Sequence, residues 1–196
     1  MRNAYYADNR DLVKWGVLLH LADEFDLARV LQVVYLRGTT WGDLEVDGRR
    51  VPLPESVHAH FRDVRGVSRM VDAPRIDVLD TLFEDREDYT RHIIDAVGER
   101  TDGERTLVFL DPDTGLEPAH PDAKHVLESE LREVWQAMLP GELLAVYQHQ
   151  TNRSGQPWVE PKRLQLETAL GLPAGSVKVA GGPSIARDVV FLYCRR

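Results

Sequence analysis

Apolar positions along the chain switch repeatedly between two periods, and that switching predicts the fold. Over residues 8–22, Leu12, Trp15, Leu18, Leu19 and Ala22 recur at spacings of three and four, the period of a helix with one buried face, and Asp8 or Asn9 can cap its start. The next run, RVLQVVYL (29–36), is β-branched and apolar enough for a central strand. Residues 45–54, EVDGRRVPLP, carry Asp47-Gly48 between short extended arms, a hairpin signature. A helical segment is predicted over 55–70, a short strand at RIDVLD (75–80), and an amphipathic helix over 86–98 with Tyr89, Ile93, Ala96 and Val97 on one side.

The second half repeats the alternation. A strand is predicted at 106–111, then a helix over 124–139 with Leu127, Leu131, Val134, Trp135 and Met138 as its buried stripe, stopped by Pro140-Gly141. ELLAVYQH (142–149) reads as another buried strand, and residues 160–170 as a helix ending at Gly171. SVKVA (176–180) and RDVVFLYC (187–194) are strands joined by too few residues for a crossover helix, so they pair antiparallel. The expected fold is α/β: one domain over 1–196, a three-layer sandwich with a mostly parallel sheet and an antiparallel C-terminal strand, and a loop or hairpin insertion at 38–54.

Composition narrows the function classes. The chain has 196 residues, a single cysteine (Cys194) and a formal net charge of −8. One cysteine excludes an internal disulfide and a cysteine-built metal site. The acidic balance opposes nucleic-acid binding through the whole surface and leaves room only for a local basic face. Arg62, Arg65 and Arg69 share one side of a helix if their segment is helical, although such stripes are usually solvated surface. The polar N-terminus has no apolar core of a secretory signal and no run reaches membrane-spanning length, so a cytoplasmic protein that avoids the membrane is expected.

The candidate chemistry gathers where strands end. TLVFLDPDTGLEP (106–118) runs from a buried strand straight into Asp111, Asp113 and Glu117, and Tyr147, Gln148 and His149 close the next strand. In doubly wound sheets ligands bind beyond the carboxyl ends of the parallel strands, so both groups line one cleft if those strands are neighbours. His149 leaves its strand among polar residues at a sheet end, where sites usually lie, and is a candidate functional residue. His58, His60, His92 and His120 read as surface, and Trp15, Trp135 and Trp158 as core packing. Asp113-Thr114-Gly115 also fits an ordinary Asx-type turn.

A strand ending in Asp111-Pro112, a helix, Leu139-Pro140-Gly141 and a further strand follow the order found in class I methyltransferases, whose plan the chain resembles. The resemblance implies S-adenosylmethionine as cofactor, held near Gly38 and Gly42 after the first strand. It implies a nucleic-acid or nucleotide substrate, with Asp111 accepting from the amine of a base or, as in the ribose-methylating group, with Lys14 before the first strand and Asp111 at the end of a central one. The chain departs from that pattern in lacking a compact glycine-rich loop, an aromatic residue after Asp113 and a second lysine at Tyr147-Gln148-His149. YYADNRDLVKWG, FLDPDTGLEP…KHV and VYQH also resemble, in order, the YFGD…DxxKYG, DPDNGLE and YQH motifs of an uncharacterised bacterial family, which implies no particular reaction. The alternative function is a Mg²⁺-dependent nuclease or phosphodiesterase, with Asp111, Asp113 and Glu117 on the ion, Lys124 or Lys14 steadying a phosphate and His149 positioning water. A non-catalytic binding module on a decayed enzyme fold is the third reading. The expected catalytic set is therefore Asp111, Asp113, Lys14, Lys124 and His149.

Overall fold

A computed structural model describes residues 9–38, 43–57, 64–150, 152 and 155–196. Asp8, Gly42, His58, His60 and Arg62 lie outside the described residues. Helix α1 (Asn9–Glu24) precedes strand β1 (Arg29–Val33); β2 (Leu44–Val46) and β3 (Arg49–Val51) form the hairpin, and β4 (Arg75–Leu79) follows. Helix α2 (Arg86–Gly98), β5 (Thr106–Leu110), short strands β6 (Gly115–Leu116) and β7 (His125–Val126), and α3 (Glu128–Ala137) come next. The chain ends with β8 (Leu143–His149), α4 (Val159–Leu170), β9 (Lys178–Gly182) and β10 (Ala186–Arg195).

Six strands form the central sheet in the order β4-β1-β5-β8-β10-β9. β4, β1, β5 and β8 are mutually parallel, and β10 is inserted antiparallel between β8 and β9. This is the mostly parallel, methyltransferase-like sheet expected from the sequence, with β5 and β8 as neighbours. The β2–β3 hairpin is a separate two-stranded sheet, turning at Asp47 and Gly48, both with positive φ.

Both faces of the sheet are covered, which is why its strands read as unbroken apolar runs. Leu107 and Phe109 of β5 face a cluster with Trp15, Leu18 and Leu21 of α1. Val108 and Leu110 face the opposite cluster, built with Ile93 of α2, Leu131 and Trp135 of α3, and Leu166 of α4.

The boundaries differ from expectation in four informative places. The first strand stops at Val33 because Tyr35 turns left-handed (φ 48) and its N–H goes to the Tyr89 hydroxyl at 2.8 Å. Residues 125–126, expected to be helical, pair with β6, and α3 begins only after Leu127, whose N–H the Glu130 carboxylate accepts at 2.8 Å. Val64–Arg69 is a 3₁₀ helix, so Arg65 and Arg69 are not stacked as an α-helix would stack them. Finally, Leu12 is exposed while Asp11 and Lys14 are buried, so the inward face of α1 is partly charged.

The chain after β5 is held in place by the strand that follows. Gly115 has φ +111, and a Cβ there would lie 2.4 Å from the Gln148 amide oxygen. That oxygen accepts the Leu116 N–H at 2.9 Å, while the Gln148 amide nitrogen donates to the carbonyls of Thr114 and His149. Gly115→Ala should therefore lower the unfolding free energy by about 2 kcal/mol or more, from backbone strain and steric conflict together, and so lower the urea midpoint. A midpoint unchanged from the parent would contradict this packing.

Candidate functional site

The parallel strands present their carboxyl ends along one edge of the sheet, and the direction of chain progression reverses between β1 and β5. From β1 the chain steps to β4 on one side, then crosses to β5 on the other. That reversal marks the ligand crevice of open α/β sheets.

Under this edge lies a buried polar network. The Lys14 ammonium reaches Asp11 Oδ1 at 2.7 Å and Asp111 Oδ2 at 2.9 Å, and Gln32 Nε2 donates to the same Asp111 oxygen at 2.9 Å. Lys14 is 4% exposed and Asp111 3%. The ammonium also lies 5.8 Å from the centre of the Tyr147 ring. Burial alone would lower the Lys14 pKa, but the Asp111 and Asp11 carboxylates outweigh it and hold it above its ordinary value. Asp111 stays aligned because its N–H continues the sheet, donating to the Val33 carbonyl at 2.9 Å.

The other two carboxylates of the motif leave in different directions. Asp113 forms an ion pair with Arg37, which belongs to the loop after β1. Glu117 lies beyond Gly115, where its carbonyl accepts from Lys162 at 3.2 Å and from Gln165 at 2.9 Å. The metal arrangement expected of Asp111, Asp113 and Glu117 is therefore not assembled. Among the described residues no group of three His, Cys, Asp or Glu side chains is placed to hold an ion. Lys124 does not join Asp111 either. Its carbonyl accepts the Thr114 N–H and hydroxyl, and its ammonium lies outside, 3.9 Å from Asp122.

His149 leaves β8 half-exposed, with Nε2 3.3 Å from Asp188 Oδ2 on β10. Arg10 of α1 donates to the same oxygen at 2.5 Å, and this bond, partly opposed by burial, holds the Asp188 carboxyl below its ordinary range. An imidazole held by a carboxylate at a strand end is the arrangement that proton transfer uses. Gly38 is exposed, and a Cβ there would meet nothing within 4 Å, so its backbone is open to approach.

Gln32, Asp11, Arg37, Asp188 and Arg10 were missed as site residues, whereas Gln148 was expected at the cleft without its role in holding the Gly115 turn. Gln32 had a readable signal, being the one amide in the apolar run 29–36. Asp11 had another, since it lies three residues before Lys14 on the same helix.

No protein-family model and no curated protein matches the chain. Two solved structures are similar to it in overall plan. One is a Thermobifida fusca protein assigned provisionally as a methyltransferase, at a TM-score of 0.44 and 15% identity over 96% of this chain and 80% of that one. The other is a DUF574 family protein from Streptomyces avermitilis, at 0.46 and 13%, over 96% and 82%. The fold assignment here rests on the strand order itself. No helix among the described residues is long and apolar enough to cross a membrane.

Asp111→Asn leaves the Lys14 charge buried with less compensation and should cost about 3 kcal/mol of stability. Equilibrium denaturation beside the parent measures this, and an unchanged midpoint would remove the network from its structural role. The pH dependence follows from the sign of the Lys14 shift. A folded-state pKa above 10.5 makes the contribution complete below that value and lost as pH rises through the higher one. Melting temperature should therefore fall more steeply above pH 10.5 in the parent than in Lys14→Met.

Proposed function

We propose that the chain is a methyltransferase-type enzyme, cytoplasmic, acting on a nucleic-acid or nucleotide acceptor. S-adenosylmethionine would bind over the ends of β4, β1 and β5. The observation that carries this reading is the switch point between β1 and β5, with polar groups on all the strand ends around it. Asp80 follows β4 directly, where related α/β sheets use an acid to hold ribose hydroxyls, and Arg65 now grips it through two bonds of 2.8 Å. Gly38 and Arg37 follow β1, and Asp113 follows β5.

The cofactor would supply an activated methyl group. The acceptor would lie over the ends of β5 and β8 and the start of β10, where His149 takes its proton and Asp188 stabilises the imidazolium that results. Asp111 and Lys14 act from beneath, keeping α1 and the β5 end in register, because their burial leaves them no room to touch an acceptor. The metal-dependent phosphodiesterase reading has no three-ligand group among the described residues to support it.

Thermal shift and titration calorimetry with S-adenosylhomocysteine test the proposal. The product-like ligand should raise the melting temperature, by an amount equivalent to about 2.7 kcal/mol when present at a hundred times its Kd. Asp80→Ala should abolish the shift and keep the fold. Absence of binding at millimolar ligand would overturn the methyltransferase reading.

A further inference from the structure

The Arg37–Asp113 pair joins loops from the two strands that flank the switch point. Arg37 lies four residues past the end of β1 and Asp113 three past the end of β5, and both side chains are largely buried. The loop carrying Arg37 is fixed on its other side as well. Leu36 bridges to Leu82 beyond β4, and its carbonyl accepts the Phe83 N–H at 2.7 Å. The guanidinium is thus presented at the crevice by a stitched backbone, already holding a carboxylate.

We propose that Arg37 is the residue that binds the carboxylate of the cofactor's methionine half, and that Asp113 occupies it when no ligand is bound. This deepens the reading above and rests on it. A guanidinium accepts one carboxylate in place of another with little change in geometry, because both offer paired oxygens in a plane. The incoming carboxylate displaces Asp113, so the pair sets the affinity for ligands that carry this group and leaves those without it unaffected. Asp113 is then a positioning residue: it keeps the guanidinium aimed and desolvated, at a cost to affinity.

Calorimetry with two probes decides the matter. S-adenosylhomocysteine carries the carboxylate, whereas 5′-methylthioadenosine has the same nucleoside without it. The parent should bind the first more tightly than the second. Arg37→Gln should weaken only S-adenosylhomocysteine, about tenfold, as loss of a charge-assisted pair predicts. Asp113→Asn should tighten it several-fold. Unchanged binding of 5′-methylthioadenosine in both variants shows that the fold and nucleoside site are intact. If both probes bind the parent equally and neither substitution changes their affinities, Arg37 does not read the carboxylate and the cofactor reading survives. If neither probe binds the parent, the cofactor reading and this inference fall together.

Discussion

Burying the Lys14 ammonium is the constraint on which the rest of the carboxyl edge depends. A charge taken out of water is tolerated only when opposite charge and hydrogen bonds surround it, and here they come from Asp11, three residues earlier on α1, and from Asp111 at the end of β5. Gln32 on β1 supplies a further bond to the same Asp111 oxygen. One helix and two neighbouring strands are thereby fixed at a single point. Apolar packing holds α1 against the sheet; the ionic network determines where along the sheet its first turns sit.

That arrangement separates support from chemistry. Asp111 is the residue most naturally read as catalytic from sequence, since it ends a central parallel strand. The structure commits it to Lys14 and Gln32 beneath the surface. Less deeply buried groups lie one layer further out: Arg37 and Asp113 on one side, His149 with Asp188 on the other. Gln148 mediates between the layers. Its side-chain amide holds the backbone around Gly115, so the position of the outer loop depends on the strand carrying His149.

The architecture was legible because hydrophobic periodicity records burial on both faces, and each main strand of the sheet and each covering helix overlaps its predicted segment, with ends displaced by up to four residues. Failures occurred where hydrogen bonding overrides that pattern. Tyr35 is apolar enough to extend β1, yet its N–H goes to the Tyr89 hydroxyl and the strand ends. Leu12 fits a helical stripe as well as Leu18 does, but it is exposed because Asp11 and Lys14 take the inward positions. Candidate site residues were legible where a polar side chain closes an apolar run, as Asp111 and His149 do, and were overlooked where one interrupts it, as Gln32 does. Partners such as Asp188 and Arg37, far apart in sequence from the groups they meet, leave no local trace.

The three carboxylates after β5 acquire separate meanings from the geometry of the turn. Asp111 still follows the sheet ladder, its N–H bound to Val33, and its side chain points into the buried layer. Pro112 cannot donate to the ladder, so the chain leaves it there, and Asp113 emerges beside the loop after β1. Gly115 then reverses direction in a conformation that leaves space for the Gln148 amide, which carries Glu117 away toward Lys162. Convergence on a metal would need all three on one side of the strand end. A proline and a positive-φ glycine between them send each to a different neighbour, and the same turn that undoes the metal site places Asp113 against Arg37.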